Sequence, residues 1–311
     1  MSTSVAVVFE APGSLALRPL ALDAAKGEDV LVDVEWTGIS TGTERLLYTG
    51  KMPPFPGLAY PLVPGYETVG RVVRGDDAGR FAEGDRVFVP GASCFGEVRG
   101  LFGGAASRLA VPAARIAKLG ASAGQESVLL ALAATAHHAL VAGPLPELIV
   151  GHGVLGRLLA RLTVALGGHP TVWEKNPDRL GGARAYPVVL PEDDPRRDYP
   201  AICDVSGDAG LLETLIGRLG KGGEICLAGF YSERLSFAFP LAFMKEARLR
   251  VAAEWAPADL EAVLGLLGAE RLALDGLISH ERPYAEAAEA YETAFNDASC
   301  LKMVLDWRSC S

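Results

Sequence analysis

Glu147-Leu148-Ile149-Val150-Gly151-His152-Gly153-Val154-Leu155-Gly156 is the stretch that decides the fold. Its first four residues read as a short buried strand. Val154, Leu155, Leu158, Leu159 and Leu162 then recur on one face of a helix, which Gly167-Gly168 stops. The turn between strand and helix carries three glycines in the order G-x-G-x-x-G, and a phosphate cradle uses all three. The first permits the tight turn, the second lets a diphosphate approach the backbone, and the third lets helix and strand pack closely. The helix start adds unpaired N–H groups and the positive end of a dipole.

Downstream, Thr171-Val172-Trp173 reads as a second strand ending at Glu174, 18 residues past Gly156. A carboxylate there accepts hydrogen bonds from ribose hydroxyls and repels a 2′-phosphate, so the expected cofactor is NAD rather than NADP. Lys175 beside it softens that preference. Further strands are expected at Ala201-Ile202-Cys203-Asp204-Val205 and Glu224-Ile225-Cys226-Leu227-Ala228, and a helix at 128–140. Strands and helices alternating at this spacing imply a doubly wound parallel sheet in an α/β protein.

The first 120 residues have a different texture. Val30 to Trp36 alternates as a strand with one drier face. Thr68 to Val73 and Asp85 to Val89 are two more short strands, and Met52-Pro53-Pro54-Phe55-Pro56-Gly57 is a stiff loop. After about residue 252 two more helices and a final strand are expected. In the helix over 284–296, Ala287, Ala288, Tyr291, Ala294 and Phe295 form the apolar stripe, and Glu286, Glu289 and Glu292 a solvated face.

A chain of 311 residues fits two domains. With 50% hydrophobic and 22% charged residues it is an ordinary globular composition, which excludes a disordered chain. The formal charge of −9 argues against a nucleic-acid partner. Cys94, Cys203, Cys226, Cys300 and Cys310 contain no CxxC pair and read as reduced thiols of a cytoplasmic protein. No apolar run is long enough to span a membrane, and Met1 to Val5 begin no signal peptide.

Several segments resemble the medium-chain dehydrogenase/reductase superfamily. They are Pro64-Gly65-Tyr66-Glu67-Thr68-Val69-Gly70-Arg71-Val72, Gly103 to Ser107 with Val111-Pro112, Thr135-Ala136-His137-His138-Ala139-Leu140, and Gly222 to Phe230. The resemblance implies a GroES-like β-barrel catalytic domain from 1–132 and 253–311 and a Rossmann NAD-binding domain from 133–252, with the active site in the cleft. It implies that Thr135, Gly229 and Phe230 sit near the nicotinamide and that Lys302 reaches the pyrophosphate. Together with Gly151, Gly153, Val154, Leu155, Gly156 and Glu174 these make up the expected cofactor site. Many members bind a catalytic zinc. Here Ser40, Tyr66 and Ala131 stand at or near the ligand positions, and 88–106 holds only Cys94 where a four-cysteine structural zinc lobe is missing. No metal is expected.

The run Gly38-Ile39-Ser40-Thr41-Gly42-Thr43-Glu44 with Val63 to Thr68 resembles a narrower branch of the superfamily. Members of that branch oxidise the C3 1-hydroxyethyl group of a (bacterio)chlorophyllide, a tetrapyrrole, to acetyl with NAD. Without a metal the hydroxyl proton needs a positioned base. The candidates are Tyr66 with Glu67 to polarise it, Thr43 and Ser40 to relay the proton, and His137 or His138 as an alternative base. Phe55, Tyr60, Phe95 and Phe102 are candidate liners of the substrate cleft, and Arg45 and Arg99 are candidates to meet a substrate carboxylate. Two other readings are a zinc-free quinone or enoyl reductase and a non-enzymatic NAD-binding sensor. Members of the superfamily are often dimers, so a homodimer is an open expectation.

Overall fold

The computed structural model describes residues 3–96 and 98–310; Met1 and Ser2, on which part of the signal-peptide reading falls, lie outside the described residues. The chain divides into two compact units, 1–131 with 277–311 and 132–276.

The second unit is built on six parallel strands. Across the sheet they run Val188–Val189, Thr171–Trp173, Leu148–Val150, Tyr199–Asp204, Leu219–Leu227, Arg248–Val251. Numbered along the chain, this is the order 3-2-1-4-5-6 of a Rossmann sheet, and the direction of winding reverses beside Leu148–Val150. Strands covered on both faces read as unbroken apolar runs, and Leu148, Ile149 and Val150 are all buried. Leu212, Leu215 and Ile216 complete that core.

The crossover between Thr171–Trp173 and Val188–Val189 contains only the short turn Pro177–Arg179, and Gly181-Gly182 offers it no helix propensity. Side chains supply the hydrogen bonds instead. Arg157 donates to the carbonyls of His152 (3.1 Å) and Arg179 (3.3 Å), and His152 Nδ1 donates to Arg179 (2.7 Å).

Residues 253–276, expected with the barrel, group with the Rossmann unit. The reason is a set of buried polar ties. Asp259, near the start of the helix Pro257–Gly268, takes Nδ1 of His137 and of His138 at 2.8 Å each. Arg161 donates to the carbonyls of Ala273 (2.8 Å) and Asp275 (3.0 Å).

The first unit is organised by the strand Asp29–Ile39. It pairs antiparallel with Thr68–Arg74 on one side. On the other it meets Arg108–Pro112 along its first half and Met303–Asp306 along its second. The tail strand thereby becomes an interior member of a sheet begun by residue 29, the expected barrel built from both ends of the chain. Val30, Val32 and Val34 face the core; Asp33 binds Arg108, and Glu35 binds Arg71 and Arg86 at 2.9 Å each. The hairpin Thr3–Ala11 with Ser14–Ala21 was not evident from sequence. In the helix Ala287–Asn296 the buried stripe is Ala287, Ala290, Tyr291, Ala294 and Phe295, so Ala290 replaces the expected Ala288.

Burial raises the Asp259 carboxyl pKa, and hydrogen bonds from Ala256 N, His137 and His138 outweigh that effect, so it lies below the usual range. A depressed carboxylate contributes stability that is present above its unfolded pKa of about 4 and lost as pH falls through the folded value. Replacing Asp259 with Ala is expected to destabilise the protein by roughly 2–4 kcal/mol at neutral pH, with a smaller difference near pH 3, read by thermal unfolding.

Candidate active site

Three of the expected catalytic residues meet in the first unit. Ser40 follows the strand Asp29–Ile39, Thr43 opens the short helix Thr43–Tyr48, and Tyr66 precedes the strand Thr68–Arg74. Tyr66 Oη donates to Ser40 Oγ at 2.6 Å and lies 3.4 Å from Thr43 Oγ1. Phe102 sets its ring edge-on to Tyr66, centroids 5.2 Å apart. Loss of water around the phenol, then the negative charge of Glu67, push the Tyr66 pKa far above the ordinary phenol range. These surroundings favour the neutral hydroxyl of Tyr66 over a phenolate.

Glu67 does not touch Tyr66 through its carboxylate, as a polarising partner would. It lies fully buried with Lys302, which is 1% exposed. Lys302 Nζ donates to Glu67 Oε1 (2.9 Å), Glu67 Oε2 (2.7 Å) and the Ile39 carbonyl (3.1 Å). An ammonium has three donors, and all three are spent within this unit. The resemblance assigns Lys302 to the pyrophosphate; in the structure its ammonium binds Glu67 and the Ile39 carbonyl. The pair is tightly packed: a Cβ at Gly38 would stand 2.1 Å from Glu67 Oε2. Burial pushes the Glu67 carboxyl up, and the Lys302 charge offsets part of that.

These residues do not fit a zinc ion. A tetrahedral zinc site wants thiolate, imidazole or carboxylate ligands, and Ser40 and Tyr66 supply only hydroxyls. Ala131 offers no donor atom, and among the described residues no group of three or more His, Cys, Asp or Glu is placed to hold a metal.

The nucleotide candidates lie in the second unit, where they fit a dinucleotide diphosphate. Gly151 has φ +103°, which L side chains rarely adopt, and a Cβ on Gly156 would fall 1.8 Å from the Gly151 carbonyl. A Cβ on Gly153 would meet nothing within 4 Å, so the turn is open there. No side chain caps the helix Val154–Ala165, and the amides at its start, Val154 and Leu155 included, face that opening without a side-chain acceptor. Glu174 is buried and accepts from His152 N (3.0 Å) and Asn176 N (2.8 Å), one bond to each oxygen. It braces the glycine turn, and each oxygen keeps a second lone pair for a ribose hydroxyl. Lys175 points to Asp208 at 3.6 Å. Gly229 and the half-exposed Phe230 follow the strand Leu219–Leu227, and Thr135 and His137 lie on the helix Leu130–Val141. His137 and His138 are both tied to Asp259, a structural role at the Nδ1 of each ring.

Of the proposed pocket liners, Phe95 is a core residue, Tyr60 and Phe102 pack partly against the core, and Phe55 is exposed. Arg45 and Arg99 are exposed. Sequence reading passed over Glu44 and Tyr291. Glu44 is fully buried, accepting from Ser40 N (3.0 Å) and Tyr291 Oη (2.5 Å). The available signal was the four-residue spacing from Ser40 to an acid ahead of the buried Leu47; Tyr291 was hidden because its place on an apolar stripe says nothing of its hydroxyl.

Residues 26–121 match the alcohol dehydrogenase GroES-like domain. The chain is 57% identical to the 2-desacetyl-2-hydroxyethyl bacteriochlorophyllide A dehydrogenase of Rhodobacter capsulatus, over 99% of each chain. It is 54% identical to the protein of the same name from Cereibacter sphaeroides, over 98% of this chain and 99% of that one. Among solved structures, a short chain alcohol dehydrogenase of Escherichia coli CFT073 complexed with NADH superposes with a TM-score of 0.84 at 20% identity, covering 98% of this chain and 100% of that one.

Removing Lys302 strands the Glu67 carboxylate in a dry interior. Lys302→Met is expected to cost about 3–5 kcal/mol in urea unfolding, and Lys302→Met with Glu67→Gln to recover most of it. The double variant should keep its NAD affinity within threefold, measured by calorimetric titration.

Proposed function

Because the chain belongs to the 2-desacetyl-2-hydroxyethyl bacteriochlorophyllide A dehydrogenases of the medium-chain dehydrogenase/reductase superfamily, we propose that it oxidises the C3 1-hydroxyethyl group of a (bacterio)chlorophyllide to acetyl, with NAD and without a metal. The observation that carries this reading is the 57% identity over 99% of both chains.

A bound nicotinamide supplies the acceptor for the hydride leaving the carbinol carbon. The protein's task is to orient the alcohol and take its proton. Tyr66 Oη receives that proton as it passes its own to Ser40 Oγ, along the 2.6 Å bond already aimed that way. The exchange needs no free phenolate, which suits a tyrosine whose pKa is pushed far up. Ser40 then releases its own hydroxyl proton to water, so that one proton leaves for each alcohol oxidised; Thr43 Oγ1, 3.4 Å from Tyr66 Oη on a half-buried residue, offers Tyr66 a second outlet for its proton. In the second unit, the glycine turn and the uncapped helix start hold the diphosphate, with Thr135, Gly229 and Phe230 assigned to the nicotinamide.

The preference for NAD over NADP is supported by Glu174 just after the strand Thr171–Trp173, where a carboxylate accepts from ribose hydroxyls and repels a 2′-phosphate. A homodimer is part of this reading. Its support is the exposed apolar set Phe239, Phe243 and Met244 on the helix Phe239–Lys245, with Val251 on the edge strand Arg248–Val251, which pairs on one side only among the described residues. A cytoplasmic location is supported by five cysteines that form no disulfide among the described residues. No helix among the described residues is long and apolar enough to cross a membrane.

Mixing the protein with NAD and a 3-(1-hydroxyethyl) chlorophyllide should raise absorbance at 340 nm, undiminished by a chelator. Tyr66→Phe should lower kcat by about 10²–10⁴-fold. Turnover that a chelator abolishes and zinc restores would sink the metal-free mechanism. Reduction of quinones by NADPH in place of alcohol oxidation would sink the substrate assignment.

A further inference from the structure

We propose that Glu44, clamped by Tyr291, is a positioning residue that holds Ser40 in place for Tyr66 and must be ionised to do so. This rests on the reading of Tyr66 and Ser40 as the proton-accepting pair. Glu44 Oε1 accepts the Ser40 backbone N–H at 3.0 Å, and that same residue carries the hydroxyl 2.6 Å from Tyr66 Oη. Glu44 Oε2 accepts the Tyr291 hydroxyl at 2.5 Å from the helix Ala287–Asn296. The side chain is fully buried, so no water substitutes for either donor. An ionised carboxylate accepts both bonds. A neutral one carries its proton on one oxygen: the Tyr291 hydroxyl must then turn from donor to acceptor, both bonds lose the assistance of the charge, and the clamp loosens.

The charged and titratable groups facing Glu44 are Glu67, Lys302, Tyr66 and Tyr291. Burial pushes the Glu44 carboxyl up to about 7; the bonds from Tyr291 and Ser40 lower it, Glu67 raises it and Lys302 lowers it. Its ionisation therefore falls where a dehydrogenase works. Activity is expected to rise with pH as Glu44 loses its proton. Tyr291, far along the chain on the helix Ala287–Asn296, sets where that rise occurs, because the bond from its hydroxyl favours the ionised form.

Three measurements test this. In the resting protein labelled with ¹³C at glutamate Cδ, the resonance lost in Glu44→Gln should titrate near pH 7, and in Tyr291→Phe its midpoint should move up. In turnover assays the acid limb of kcat should flatten in Glu44→Gln, which keeps an acceptor for Ser40 N. The limb should move up in Tyr291→Phe, and Glu44→Ala should lose about 10²-fold in kcat with an unchanged KM for NAD. Unfolding curves confirm that each variant is folded. A carboxyl that titrates near 4.5, or an acid limb that keeps its position in both Glu44→Gln and Tyr291→Phe, overturns the proposal. Absence of turnover with the tetrapyrrole alcohol, alongside the expected carboxyl titration, removes the substrate reading and leaves the clamp standing.

Discussion

Two opposite charges in a dry interior, Glu67 and Lys302, hold the first unit to its active geometry. Dehydrating both costs several kcal/mol each, and only close pairing with every remaining donor engaged offsets it. The ammonium meets that condition with two carboxylate oxygens and the Ile39 carbonyl. The consequence is positional. Glu67 is the next residue after Tyr66, Ile39 the one before Ser40, and Lys302 opens the way into the tail strand Met303–Asp306. One ion pair therefore locates the two chain segments that carry the hydroxyl pair and anchors the segment that closes the sheet over them.

The same arrangement decides what kind of acid or base Tyr66 is. Two buried carboxylates, Glu67 and Glu44, act on its hydroxyl in a medium that screens poorly. Such surroundings oppose a phenolate and favour a phenol that trades one proton for another. Superfamily members with a metal stabilise an alkoxide by a cation placed beside it. Here the Lys302 cation is committed to Glu67, and in the mechanism proposed above the polar work would fall to hydroxyls at short range.

The Rossmann unit was largely legible because its constraints are local. Three glycines at fixed spacing, an acid at the end of the next strand and continuous apolar runs each follow from backbone geometry within about thirty residues. The barrel was less so. Its hub strand showed the alternation of Val30, Val32 and Val34, yet nothing local says that Lys302 meets Glu67 across 235 positions. Residues 253–276 were misplaced for the same reason, since the Asp259 tie to His137 and His138 spans more than 120 positions. The site itself divided along that line. Ser40 and Tyr66 came from the pattern of what replaces a ligand set, and Thr43 as a neighbouring hydroxyl able to relay a proton. Glu44 was missed because a buried acid is recognisable only by its partners.

The interior place of Met303–Asp306 in the first unit's sheet also carries a consequence for biosynthesis. The Rossmann unit is a single continuous stretch and has all its strands as soon as residue 251 has left the ribosome. The barrel has to wait. Until residues 302–306 emerge, half of Asp29–Ile39 presents unpaired backbone to any passing strand, and Glu67 sits without its counter-charge. The nascent chain spends that interval with its nucleotide half complete and its catalytic half unsealed, the window in which a chaperone has most to protect.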